Sequence, residues 1–168
     1  MIGISVAANK EWKAVKEFYK DDIKELTEYV YGEYFETTIN GRAVLIYKCG
    51  NRKCKASAST QYIIDRFSPE KIILIGTAAG VNEDYDLVDI LTPDTAIQGD
   101  CGFIEKGERF QDRFITHLDL SRYNVKGAST IASTDKPLIY KEHCLLFSQF
   151  SPDRHIAHQS IPCRYPPS

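Results

Sequence analysis

The stretch Ile75-Gly76-Thr77-Ala78-Ala79-Gly80-Val81 has the residue types that bring a backbone close to a ligand. Glycines and small side chains let N–H and C=O groups approach a flat or anionic molecule without a Cβ in the way. The stretch is neither G-x-x-x-x-G-K-[ST], which cradles a nucleoside triphosphate, nor G-x-G-x-x-G, which cradles a dinucleotide. By itself it also fits a plain glycine turn between two strands. Two other groupings could bind a metal: Cys49 with Cys54, and the H-x-x-H pair His155 and His158. Zinc sites use tighter, repeated Cys/His sets, so buried cysteines and unconnected histidines are the better reading, and no metal or cofactor is expected.

The candidate loop directly follows Lys71-Ile-Ile-Leu-Ile75, a short continuous apolar run of the kind buried on both faces in a parallel sheet. Ligands of open α/β sheets collect at the carboxyl ends of the strands, which is where the loop falls. Upstream, Ile2 to Ala8 reads as a buried strand. Lys10 to about Glu28 reads as a helix, with Trp12, Val15, Phe18 and Tyr19 at helical spacing. Tyr31–Ile39 and Arg42–Cys49 read as strands of a hairpin closed by Asn40-Gly41, a dipeptide that accepts positive φ at both turn positions. Arg52 to Phe67 is helical, with Ala56, Thr60, Ile63, Ile64 and Phe67 on one face and Ser68-Pro69 as its stop. Asp89–Ala96 and Val125–Ala132 read as further strands. Lys136–Phe147 reads as a helix capped by Thr134 or Asp135.

This order implies an α/β fold of three layers, with a central mixed, mostly parallel sheet and helices on both faces. Residues 1–147 are read as one partial domain, incomplete at its C-terminal side, and residues 148–168 as a divergent tail. The tail holds no Lys or Glu but has Pro152, Pro162, Pro166 and Pro167, which leave little room for a helix or a central strand.

Composition narrows the partners. The formal net charge is -2 across 168 residues, with Lys and Arg scattered among acidic side chains, so there is no basic face for nucleic acid. No run approaches the ~20 apolar residues of a membrane span, and Met1 to Ala8 lacks the basic region of a signal peptide. Five cysteines without a dense framework point to reduced thiols and a cytoplasmic setting. A small-molecule ligand is the expected partner.

Four segments in order carry a resemblance: Ile2-Gly3-Ile4…Ala7-Ala8-Asn9-Lys10-Glu11, Lys48-Cys49-Gly50-Asn51-Arg52-Lys53, Gly76-Thr77-Ala78-Ala79-Gly80, and Val88-Asp89-Ile90-Leu91…Asp94. Together with Ser133-Thr134-Asp135, they resemble the methylthioadenosine/S-adenosylhomocysteine nucleosidases of the nucleoside phosphorylase superfamily, over residues 1 to 146. The resemblance implies a purine nucleoside substrate and a homo-oligomer, commonly a dimer. It puts Glu11 at the glutamate that activates the attacking water; on its residue type alone, Glu11 is equally a first-turn carboxylate favoured by the helix dipole. It puts Thr77, Ala78, Ala79 and Gly80 against the base, and Ser133 and Asp135 in the family's S-[GT]-D turn. The phosphorylase branch holds phosphate with arginines, and the N-terminal segment offers Lys10 and Glu11 instead, so hydrolysis is expected over phosphorolysis.

The chain departs from the family in three places. Val88 replaces a glycine. Lys136-Pro137 stand where an aromatic residue would pack on the base. The sequence contains neither the Met-Glu pair that grips the ribose nor the Ser-Asp turn that protonates the leaving base. The expectation is therefore a nucleosidase-like protein with impaired turnover or none, the alternatives being a non-catalytic purine-binding or scaffolding remnant, or a phosphorylase.

Overall fold

The computed structural model describes residues 1–80, 90–98, 103–105, 108–110, 114–117, 119–120, 129–133 and 155–158. It divides into two compact units, Met1–Gly76 and Thr77–Ser168.

The first unit begins with β1 (Ile2–Val6) and α1 (Asn9–Phe18), then β2 (Thr27–Tyr29), β3 (Gly32–Ile39), β4 (Arg42–Lys48), α2 (Lys53–Phe67) and β5 (Lys71–Ile75). Its sheet order is β2-β3-β4-β1-β5. β1 runs parallel to both neighbours, with Val6 level with Lys48 and with Ile75. Alternation along β4 divides the core between the two faces. Val44 and Ile46 join Val6, Phe35 and Trp12 of α1 on one face, while Leu45 and Tyr47 join Tyr34, Cys49 and Ile63 of α2 on the other. One helix therefore covers each face of this sheet.

Local chemistry explains the boundaries. Asn40 and Gly41 have φ of 50° and 76°, the left-handed pair expected of the hairpin turn. α2 ends where Ser68 turns left-handed (φ 46°) and donates its N–H to Ile64 O at 2.9 Å, just before Pro69. α1 stops at Phe18, ten residues short of the helix expected to reach Glu28. Asp21 and Asp22 follow directly, and carboxylates there oppose the negative end of the helix dipole. The segment expected as the last helical turn instead supplies β2, which pairs with β3.

The second unit contains β6 (Ala79–Gly80), β7 (Pro93–Gln98), β8 (Phe103–Glu105), β9 (Glu108–Phe110), β10 (Phe114–His117), β11 (Ser129–Ser133) and β12 (His155–His158). Five of them form a sheet in the order β10-β7-β11-β12-β6, and β8 pairs with β9. β11 is parallel to β7 and β12, whereas β10 and β6 pair antiparallel.

The fold is α/β with mixed sheets, and several further expectations are corrected. Parallel pairs do not predominate among the described strands, because the β2–β3–β4 meander and the β8–β9 hairpin are antiparallel. The prolines of the tail do not exclude an interior strand: β12 lies between β11 and β6, in the proline-free interval from Asp153 to Ile161. β5 is the edge strand of its sheet, so Ile73, Leu74 and Ile75 stay exposed rather than buried on both faces. The strand expected from Asp89 begins at Pro93, and the helix expected over Lys136–Phe147 lies outside the described residues.

Ile63 is fully buried and joins α2 to the face formed by Leu45 and Tyr47. Ile63→Ala should cost about 2–5 kcal/mol through lost transfer energy and a residual cavity. Urea unfolding followed by Trp12 fluorescence reads this directly, since Trp12 is the sole tryptophan.

Candidate functional site at the carboxyl edge

Because β4 and β5 both run parallel to β1, the three strands end on one edge. The β1–α1 turn, the β4–α2 turn and Gly76 all start from that edge. Cys49 extends the ladder by one bond, its N–H donating to Val6 O at 2.9 Å. The β4–α2 turn then holds two left-handed residues, Gly50 (φ 78°) and Arg52 (φ 76°), the latter at the N-cap of α2. Glycine suits position 50 because the left-handed conformation is strained for a residue with a Cβ. The fully buried Ser59 Oγ fixes the turn by donating to Cys49 O at 3.0 Å.

Glu11 sits in the first turn of α1. Its Oε2 accepts the Ala8 N–H at 2.9 Å, the carboxylate half of a capping box whose other half an alanine N-cap cannot supply. The helical role of this carboxylate is therefore realised, and the same bond fixes its position beside the β4 turn. The Cys49 thiol is buried, and burial pushes its pKa up; the Glu11 charge adds to the rise while a bond with Ser5 opposes it. It stays a neutral thiol, which makes it a packing group and not a nucleophile. Cys54, the other described cysteine, is exposed and also free.

The remaining predicted residues belong to the second unit. Thr77 and Ala78 are exposed coil after β5. Ala79 and Gly80, expected in the loop, form β6 and pair with His158 and Ala157. Ser133 ends β11, half-buried and paired with Gln98. Val81 and Asp135 lie outside the described residues.

A second cluster was not anticipated from the sequence. A cleft of about 500 Å³ lies between α1 and the β2–β3–β4 strands, lined by Asn9, Trp12, Lys13, Lys16, Glu28, Tyr29, Gly32, Glu33 and Lys48. At its floor Glu33 Oε2 accepts both Trp12 Nε1–H at 2.5 Å and Lys16 Nζ at 3.0 Å. These donors, the indole first, hold the Glu33 carboxyl below its ordinary value of 4.5. The hint in the sequence was Trp12 and Lys16 four apart on one helix face; nothing local to Glu33 named its partners.

The sequence profile of the phosphorylase superfamily matches residues 1–136. The chain belongs to that superfamily. The 5'-methylthioadenosine/S-adenosylhomocysteine nucleosidase of Listeria innocua is 31% identical over 108 residues, covering 63% of this chain and 45% of the relative. The corresponding nucleosidase of Marinomonas sp. is 29% identical over 101 residues, covering 60% and 42%. The matched region thus spans less than half the length of these relatives. Among solved structures, the Helicobacter pylori nucleosidase aligns over 94% of this chain and 75% of its own, with TM-score 0.73 and 16% identity. Futalosine hydrolase of the same organism aligns over 92% and 72%, with TM-score 0.73 and 18% identity. At these identities the structural likeness shows the phosphorylase-superfamily fold. Among the described residues, no helix is long and apolar enough to cross a membrane.

Glu33 gives the superfamily scaffold a pH signature. A carboxyl lowered by folding stabilises the fold above its unfolded pKa, and that contribution is lost as pH falls through the lowered value. Glu33→Gln should therefore cost about 1 kcal/mol at pH 7, with the gap from the parent chain closing as pH drops below 4.5. Urea midpoints of both proteins across acid pH check the sign; a gap that widens on acidification contradicts it.

Proposed function

We propose that this chain is a purine nucleosidase-type protein, built to hydrolyse the N-glycosidic bond of a nucleoside such as methylthioadenosine or S-adenosylhomocysteine. The observation that carries the reading is the common carboxyl edge of β1 and β5: α1 with Glu11 starts from the end of the first strand and Gly76 from the end of the second. The names of its relatives supply the substrate class.

In this reading Glu11, held by the Ala8 N–H, takes a proton from water as that water meets an oxocarbenium-like sugar. Thr77, Ala78, Ala79 and Gly80 carry small side chains, as a site for a flat base needs, and Ser133 and Asp135 are read with them as substrate-binding residues. The N-terminal segment offers Lys10 and Glu11 but no arginine, which favours water over phosphate as the nucleophile. The full arrangement is a three-layer fold acting as a cytoplasmic homodimer without metal or cofactor.

Departure of the base is the harder half of the reaction. No Met-Glu and no Ser-Asp pair occurs in these residues, so neither a ribose-gripping glutamate nor a leaving-group acid is supplied by them. Losing general acid catalysis forfeits roughly 10²–10⁴-fold. That same gap favours a second reading, a purine-binding protein without turnover.

Adenine release from methylthioadenosine by the purified chain should be slow or undetectable, and whatever remains should fall in Glu11→Ala and be indifferent to added phosphate. Fast release that vanishes in Glu11→Ala would mean that another group protonates the base. Release that requires phosphate would overturn hydrolysis.

A further inference from the structure

The cleft between α1 and the β2–β3–β4 strands lies apart from the proposed glycosidic chemistry. Asn9, Trp12, Lys13 and Lys16 follow one another at i, i+3, i+4 and i+7, so they share one face of α1. Glu11 is about 200° around the helix from Lys13 and lies on the opposite side.

The charges in this cleft are ordered. Glu28 and Glu33 stand directly opposite each other across the β2–β3 ladder, a like-charge pairing that costs stability unless something answers it. Glu33 is answered by the Trp12 indole N–H and the Lys16 ammonium. Glu28 is not: it is exposed, and among the described residues it forms no ion pair. Lys48 ends β4, on the other side of β3, and shares the α1-facing side of the sheet with Val44 and Ile46. Among the described residues neither Lys48 nor Lys13 forms an ion pair. Among the described residues the cleft thus has one carboxylate, Glu28, and two ammonium groups, Lys13 and Lys48, that form no ion pair, while Lys48 adds to the positive field on Glu33. Two strand spacings, about 10 Å, separate the backbone of Glu28 from that of Lys48. The floor between them is already neutralised.

We propose that this cleft binds a small zwitterion, the ammonium and carboxylate head of an amino acid, with the ligand's carboxylate on Lys13 and Lys48 and its ammonium on Glu28. A simple anion would meet Glu28 and a simple cation would meet the lysines. Only a ligand carrying both charges gains from Glu28 and from the lysines. At about 500 Å³ the cleft has room for the head and a side chain.

Trp12 reports the cleft alone, since it is the single tryptophan and its indole N–H lies in the floor. The experiment follows the indole 15N–1H resonance of the full chain at constant ionic strength. The probes are L-leucine, N-acetyl-L-leucine, which keeps only the negative charge, and L-leucine methyl ester, which keeps only the positive one. Leucine should shift the resonance saturably, with each blocked form roughly tenfold weaker, the loss of one charge-assisted hydrogen bond. Glu28→Gln should make leucine and N-acetylleucine equal. Lys13→Met with Lys48→Met should make leucine and its ester equal, and Lys13→Met alone should move in that direction if the double variant lacks a folded indole resonance. Equal binding of leucine and N-acetylleucine by the parent chain, or no saturable shift with leucine, overturns the proposal.

Discussion

The parallel pairing of β1 with β4 on one side and β5 on the other is the constraint on which the candidate site depends. It sends three strand ends to one edge, so α1, the β4–α2 turn and Gly76 must all begin there. The pairing is held because the strands at its centre are covered on both faces. Val6, Leu45, Ile46 and Tyr47 are each no more than 1% exposed, and shifting any strand by one residue would exchange its two buried faces. Local rules then act within this frame. Ser59 holds the Cys49 carbonyl, Gly50 and Arg52 take left-handed conformations, and Glu11 caps the helix it opens.

Much of this was legible because its causes are local. Asn40-Gly41 specifies its own turn, and Ser68-Pro69 specifies the end of α2. The apolar run Lys71–Ile75 gives a strand whichever neighbour it finds. Features decided by distant partners were harder to read. Thr27–Tyr29 fits a helical period as well as an extended one, and its pairing with β3 made it a strand. The burial of β5 depended on its place in the sheet order, which apolar content does not encode. β12 needed β11 and β6 on either side before four residues among prolines could become a strand.

The same division runs through the chemistry. Glu11 could be picked out because the residues around it resemble a family, and the structure adds the Ala8 N–H that orients it. The cleft around Glu33 joins residues from Asn9 to Lys48, brought together only when α1 lies on the sheet. Both sites depend on α1: one face carries the carboxylate of the proposed glycosidic chemistry, the other forms the wall of a separate charged cleft. Trp12 anchors the helix between them through its contact with Phe35, ring centroids 5.9 Å apart.

The central claim is the proposed purine site at the Gly76–Gly80 segment, whatever its turnover. Calorimetric titration of the chain with adenine, compared with Ala78→Phe, tests this most directly. The account predicts saturable heat for the parent chain that disappears when a phenylalanine ring occupies the space reserved for the base. Absence of heat in the parent, or equal heat in both proteins, would contradict it.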